Sequence, residues 1–343
     1  MNKRSILVFR FSAMGDVAMI SPVIEQLCEQ HPQVSIILVS RPFFKPFFDT
    51  NPQIRFHPIY PKEQHRGLRG LYRLFKELRN YKIDAIADLH DSLRSRILST
   101  FFRLTTIPIK RIDKGRAEKR ALTRIQNKHL IPLKSTFERY AEVFQSLGFS
   151  IRLTNKLVKK TRPLPAAFLR QFNSSSALRR IGIAPFAQHR YKVYPLDKME
   201  EVIAVLSRNH ELFIFGGGET EQEMATKWEK KYAHVTNVIG VVDLTHELDL
   251  IANLDLMLSM DSSGMHMASL VGTRVISVWG PTHPYAGFLG FGQKEDDCLQ
   301  FHHPARPSSI YGNKPCLCDG IPCIERISPE QIVTKIEKTL SYG

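Results

Sequence analysis

Nowhere in the 343 residues is there an apolar run long enough for a membrane-spanning helix. Ile6 to Phe9, Ile36 to Val39 and Val275 to Trp279 stop far short of the ~20 residues such a helix needs. The opening Met1-Asn2-Lys3-Arg4 leads straight into a strand-like run too short for the hydrophobic stretch of a secretory signal, so a cytoplasmic location is expected. Cysteine is scarce: five residues, an odd number, do not make the disulfide framework of a small secreted domain, and a reducing compartment fits best. The one glycine cluster, Gly216-Gly217-Gly218, is not G-x-G-x-x-G, so a dinucleotide cofactor is poorly supported. No D-x-D metal site is evident, and zinc-finger, helix-turn-helix and aromatic RNP-like motifs are missing too. A nucleic-acid partner is therefore not expected, despite a net charge of +15.

That charge is unevenly spread. Residues 1–177 hold 32 Lys and Arg against 13 Asp and Glu, whereas 178–343 hold 16 against 20. The two halves face different partners.

Both halves read as strands alternating with helices. In the first, Ile6 to Phe9, Val34 to Ser40 and Ile83 to Ala87 are strands, and Val17 to Glu29 has helical periodicity. In the second, strands at Arg180 to Ala184, Glu211 to Phe215, Val235 to Ile239, Leu256 to Ser259 and Val275 to Trp279 alternate with helices at Lys198 to Ser207, Glu219 to Tyr232 and from Gly264. This predicts an α/β protein of two Rossmann-like, doubly wound domains, each a parallel sheet covered by helices. Residues 1–160 are assigned to the first domain and 178–325 to the second. A linker is placed within Thr154 to Ala177, which carries Pro163, Pro165 and a serine run. The last stretch, 326–343, is read as a C-terminal helix and a candidate to pack back on the N-terminal domain.

From Arg66 to Arg79, Leu68, Leu71, Tyr72, Phe75 and Leu78 recur at helical spacing, with Arg66, Arg69, Arg73, Lys76 and Arg79 on much of the other side. This is either a solvated basic face or a surface for anionic headgroups or a phosphorylated glycolipid. Lys110 to Lys128 is likewise dense in basic residues.

Four segments carry candidate chemistry. Arg10-Phe11-Ser12-Ala13-Met14-Gly15-Asp16-Val17 lies where the first strand gives way to a helix, so Asp16 either reaches a ligand at the strand's carboxyl end or caps the helix. Asp261-Ser262-Ser263-Gly264-Met265-His266 stands at the equivalent place in the second half. Its small residues would let backbone N–H groups approach phosphate oxygens, with capping and packing the plainer roles. Lys192, on the loop Pro185 to Pro195, is suited to neutralise a diphosphate, with Arg190 a competitor. Glu219, after the glycine cluster, would hold ribose hydroxyls or serve as a helix N-terminal charge.

Together these segments resemble glycosyltransferase family 9, the lipopolysaccharide heptosyltransferases, over about residues 5 to 335. The strongest parts are Ser12 to Val17 with Pro22, and Asp261 to His266 followed by Gly280-Pro281-Thr282. Weaker echoes are Asp88-Leu89-His90-Asp91-Ser92-Leu93-Arg94-Ser95 and Glu138-Arg139-Tyr140. The resemblance implies the GT-B fold, two Rossmann-like domains facing across a cleft, and an inverting, metal-independent enzyme without a cofactor. Such an enzyme moves heptose from an ADP-sugar to the inner core of lipopolysaccharide. Asp16 would be the general base on the acceptor hydroxyl. Lys192 and Arg190 would meet the donor phosphates, Ser262, Ser263, Gly264 and His266 the diphosphate region, Asp261 the sugar, and Glu219 the donor's nucleoside. Ser12, Met14, Gly15, Arg94, Lys114 and Arg120 would contact the acceptor, an anionic glycolipid of lipid A–Kdo type at the inner face of the cytoplasmic membrane. The chain departs from the family pattern at Arg111-Ile112, where glycine is expected before Asp113, and at Tyr191-Lys192-Val193-Tyr194-Pro195, where tryptophan is usual before the proline.

The alternatives are the same fold and mechanism with another nucleotide sugar or glycan acceptor, and a non-catalytic sugar-nucleotide-binding protein. Cys298, Cys316, Cys318 and Cys323 are read as free buried thiols in preference to a metal site, since C-x-C-x4-C lacks the usual paired spacing.

Overall fold

The computed structural model describes residues 4–103, 105–174 and 178–341. Met1 to Lys3 at the opening of the chain, Ser175 to Ala177 of the expected linker and the last two residues of the expected terminal helix lie outside the described residues. Two compact units emerge: Met1–Lys114 with Lys134–Thr154, and Gly115–Leu133 with Asn155–Gly343.

The first unit contains β1 (Arg4–Phe9), α1 (Met14–Ala18), α2 (Ile20–Gln30), β2 (Val34–Ser40), β3 (Ile54–Pro58), α3 (Gly67–Leu78), β4 (Ala85–Asp88), α4 (Leu93–Arg103) and β5 (Ile109–Arg111). The chain then gives α5 (Arg116–Leu122) to the second unit and returns with α6 (Thr136–Ser146). The five strands are all parallel in the order β3-β2-β1-β4-β5. Leu7, Phe9, Ile37, Val39 and Ile86 meet Leu74, Leu78, Leu98 and Phe102 of α3 and α4 in one buried cluster. The predicted helix from Val17 is two helices, α1 and α2, meeting at Met19.

The second unit continues with α7 (Leu169–Ser174), β6 (Arg179–Ala184), α8 (Leu196–Leu206), β7 (His210–Ile214), α9 (Glu219–Lys231), β8 (Val235–Asn237), α10 (Leu244–Ala252), β9 (Leu256–Met260), α11 (Ser263–Val271), β10 (Val275–Trp279) and β11 (Cys298–Gln300). A short antiparallel hairpin, β12 (Leu317–Cys318) with β13 (Ile321–Pro322), precedes α12 (Pro329–Ser341). The main sheet is parallel in the order β11-β10-β9-β6-β7-β8. β7, β9 and β10 are buried throughout and β6 from Ile181 to Ala184, as a sheet covered on both faces requires.

Three sequence assignments of domain boundaries change. Residues 115–133, placed in the first domain, belong to the second unit: Leu133 N–H bonds the Tyr285 carbonyl, Lys128 Nζ the Pro307 carbonyl, and Lys119 Nζ lies 4.4 Å from the centre of the Phe288 ring. The front of the expected linker is docked on the second unit. Lys159 Nζ bonds the Leu254 carbonyl at 2.8 Å, Arg162 pairs with Asp249 at 2.6 Å, and Gly272 leaves the space in which the Val158 carbonyl sits. The terminal helix α12 packs on α8 and buries Ile332 and Ile336 in the second unit's core, where the sequence had made it a candidate for the first domain. Its apolar stripe was legible, but a stripe does not name its partner.

Candidate functional site

In each unit the sheet order reverses direction beside its first strand, between β1 and β4 in the first and between β6 and β9 in the second. Loops leaving the carboxyl ends of such a strand pair diverge and open a crevice, the usual ligand position in this architecture. All four candidate segments follow β1, β6, β7 or β9.

In the first unit Arg10 follows β1 and is buried. Its guanidinium donates to the Leu89 carbonyl at 2.7 Å, pairs with Asp16 Oδ2 at 2.5 Å, and lies 5.9 Å from the centre of the Tyr140 ring. Asp16 Oδ2 also accepts the Ala13 N–H at 3.3 Å, so the carboxylate caps α1 while 31% of the side chain stays exposed at the carboxyl end of β1. Behind it, Tyr140 donates its hydroxyl to the Asp16 carbonyl at 3.2 Å. The tyrosine is fully buried, and burial moves its hydroxyl well above the usual phenol range, so it remains a donor.

The loop after β4 is built on Asp88. Its buried carboxylate accepts N–H groups of His90 and Asp91 and the Ser95 hydroxyl, at 3.1, 2.9 and 3.0 Å, and pairs with Arg111 at 3.0 Å. Asp91, in the left-handed region at φ 47°, pairs with Arg96 and Arg111, and Lys114 donates to its carbonyl at 3.3 Å. His90 Nδ1 accepts the Phe11 N–H at 3.2 Å, tying this loop to the one after β1. Burial, and next the Arg10 charge, push the His90 pKa down to about 3, consistent with a neutral ring whose Nδ1 is an acceptor. Arg111, the departure from the family pattern, thus serves to bind Asp88 and Asp91.

In the second unit Lys192 follows β6 and Asp261 follows β9. Their side chains meet as a largely buried ion pair, Nζ to Oδ2 at 2.8 Å. The lysine stem runs over Gly312, where an added Cβ would fall 2.2 Å from Lys192 Cγ. Helix α11 is preceded by Ser262, which has extended backbone and makes no side-chain cap. A Cβ on Gly264 would lie 2.6 Å from the Ala184 Cβ, so only glycine lets α11 sit this close to β6. The result is a helix N-terminus beside a lysine, with Ser262 and Ser263 partly exposed and Asp261 and His266 buried. First-turn N–H groups beside a cation are the elements from which anion sites are built, and here the Asp261 carboxylate holds the lysine.

The other candidates are scattered. Arg190 is turned onto Tyr191, its guanidinium 4.5 Å from the ring centre. Glu219 is exposed at the first turn of α9, and it is Glu221, which the sequence reading passed over, that accepts the Gly217 N–H at 2.7 Å and fixes the glycine turn. Ser12 before α1 and Met14 and Gly15 at its start lie partly exposed, Arg94 is exposed on the first turn of α4, and Arg120 is exposed on α5, in the second unit. Arg10 and Asp88 lie within the motif segments, and their roles emerge only in the structure. A buried charge at a strand end was the available signal.

The sequence model described as glycosyltransferase family 9 (heptosyltransferase) matches residues 71–308. The chain belongs to glycosyltransferase family 9. The matched span contains Lys192, Glu219 and the Asp261 to His266 segment, and begins after the Asp16 segment. The chain is 24% identical over 293 residues to the lipopolysaccharide core heptosyltransferase OpsX of Haemophilus influenzae, covering 82% of this chain and 80% of that one. A family 9 glycosyltransferase structure from Veillonella parvula superposes with a TM-score of 0.73 at 18% identity, covering 100% of this chain and 99% of that one. The E. coli heptosyltransferase WaaC with ADP-2-deoxy-2-fluoro heptose gives a TM-score of 0.69 at 19% identity, covering 98% and 99%. As a family 9 member the chain is a glycosyltransferase, and its two parallel-sheet units are the Rossmann-like domains of the GT-B fold.

Proposed function

We propose that this family 9 enzyme transfers heptose from ADP-heptose to the inner core of lipopolysaccharide, with inversion at the anomeric carbon and no divalent cation. The observation that carries the reading is Asp16: a carboxylate at the switch point of the first sheet, fixed by a buried arginine yet open to solvent on one side. Asp16 takes the proton of the acceptor hydroxyl as its oxygen attacks the anomeric carbon. The bond from that carbon to the diphosphate breaks, and the electron pair leaves with ADP. Arg10 is a positioning residue that holds the carboxylate's rotamer.

Charge developing on the departing diphosphate meets Lys192 and the N–H groups that open α11, with Ser262, Ser263, Gly264 and His266 around them. Asp261 orients Lys192 until donor binds, then faces the sugar. Arg190 and Glu219 reach this ligand only after leaving their present positions. Ser12, Met14, Gly15, Arg94, Lys114 and Arg120 contact an anionic, phosphorylated glycolipid. The protein works at the inner face of the cytoplasmic membrane, which it meets through α3. Support for that contact is the exposed face of α3, where Leu68 and Tyr72 are 65% and 48% exposed among Arg66, Arg69, Arg73 and Lys76. No helix among the described residues is long and apolar enough to cross a membrane.

The deciding experiment is calorimetry of ADP, UDP, GDP and their sugar conjugates without added metal, on wild type and Lys192→Ala. Selective ADP binding that the variant loses supports the heptose reading. Selective UDP or GDP binding replaces the donor, and binding without turnover makes the protein a non-catalytic nucleotide-sugar binder.

A further inference from the structure

Three buried cysteines converge in the second unit, on and beside the hairpin β12–β13. Cys316, Cys318 and Cys323 are 5%, 0% and 1% exposed, and their sulfurs all lie within 4.8 Å of one another. Cys318 and Cys323 are joined as a disulfide, which overturns the reading of these cysteines as free thiols. The Cys316 sulfur stands 2.9 Å from that of Cys323. A disulfide uses two sulfurs and leaves the third pressed against it.

We propose that, with the bond reduced, the three thiolates of Cys316, Cys318 and Cys323 hold one Zn²⁺ ion as a structural site. Sulfurs sharing a zinc sit ~3.8 Å apart, given Zn–S bonds of ~2.3 Å at tetrahedral angles, so the cluster needs little movement to accept one. Three thiolates around a dication leave one negative charge, and the surroundings suit it: the Arg306 and Lys128 charges both act on Cys316, and Arg326 donates to the Cys318 carbonyl at 2.9 Å. Phe301 and Ala305 pack against the sulfurs and keep water from them. The backbone is already folded around the site, with Cys323 N–H on the Cys316 carbonyl at 2.9 Å and the turn at Asp319 and Gly320 in the left-handed region. A hairpin of two residues per strand does not hold itself together and needs such a cross-link. The fourth position falls to water.

The redox balance is simple. A dithiol reductant gives two electrons and two protons to the Cys318–Cys323 bond and is itself oxidised to a disulfide, and Zn²⁺ then displaces three thiol protons. The inference does not depend on the transferase reading.

The test uses the full chain, reduced, freed of metal by a chelator and titrated with Zn²⁺ alone, with thiol alkylation mapped by peptide mass. One Zn²⁺ per chain is expected. Cys316, Cys318 and Cys323 should be protected, while alkylation of Cys28 and Cys298 should be unchanged by zinc. Co²⁺ in place of zinc should give the intense sulfur-to-metal absorption of thiolate ligation. Cys316→Ser should lose stoichiometric binding while retaining the Cys318–Cys323 pair. Absence of zinc protection in the reduced wild type, equal protection in Cys316→Ser, or a disulfide that resists reduction in the folded protein would each overturn the site.

Discussion

Asp16 pairs with Arg10 and Lys192 with Asp261, and the consequences of breaking each site differ. Asp16→Asn keeps the cap on α1 but removes the base. Turnover should fall ~10²- to 10⁴-fold with donor affinity unchanged, measured by initial rates alongside calorimetry; an unchanged rate would remove Asp16 from the mechanism. Arg10→Met keeps the stem's packing but frees the carboxylate, so kcat should fall while donor Kd holds. Gly264→Ala places a methyl 2.6 Å from the Ala184 Cβ. Overpacking of that kind costs about 1–3 kcal/mol, and displacing α11 should also weaken ADP binding. A stability loss without any change in ADP affinity would separate this glycine from the donor site.

Among the elements, α3 departs most from its sequence reading. Periodicity assigned Leu68, Leu71, Tyr72, Phe75 and Leu78 to one apolar face, yet of the large apolar side chains only Leu71, Leu74, Phe75 and Leu78 are buried, leaving Leu68 and Tyr72 exposed among arginines, the Tyr72 ring edge-on to Phe101 of α4. If that face meets anionic lipid, Leu68→Ser with Arg69→Glu and Arg73→Glu should abolish cosedimentation with phosphatidylglycerol vesicles at low salt and leave the melting temperature unaltered. Equal cosedimentation would return α3 to a solvated face. The loop after β4 shows the converse: the Asp88 to Ser95 segment looked like a weak echo, and its order comes from one buried carboxylate with four partners.

For the whole molecule, pH dependence follows from groups in both units. Burial holds His90 at about 3 and His283 at about 4, below the unfolded value near 6.5, so between these values the unfolded chain binds more protons. Their contribution to stability is present above pH ~6.5 and is lost as pH falls through the folded values. Glu247 runs the other way: burial lifts it to about 7, so it favours the folded state below its unfolded value near 4.5 and loses that contribution as pH rises toward 7. Thermal melts should therefore show Glu247→Gln stabilised relative to wild type above pH 7 and equal to it below pH ~4.5. His283→Asn, which can retain an acceptor for the Tyr285 N–H, should soften the acid limb. Parallel pH profiles for wild type and both variants would refute these assignments.

The amino-acid sequence by itself determined the alternation of strands and helices, the two parallel sheets, the family, and the placing of Asp16, Lys192 and the Asp261 to His266 segment after strands. The family rests on the resemblance of whole motifs; the rest follows from local pattern: runs of buried strand residues, helical periodicity, and small or charged residues where a strand turns into a helix. What it left open were contacts between residues far apart in the chain. Lys192 with Asp261, Arg10 with Leu89, the Asp88 hub, the docking of 115–133 and 155–162 on the second unit, the partner of α12 and the convergence of three cysteines are products of packing. An apolar stripe or a lone charge specifies that something must cover or pair it. Only the tertiary structure decides which residue does.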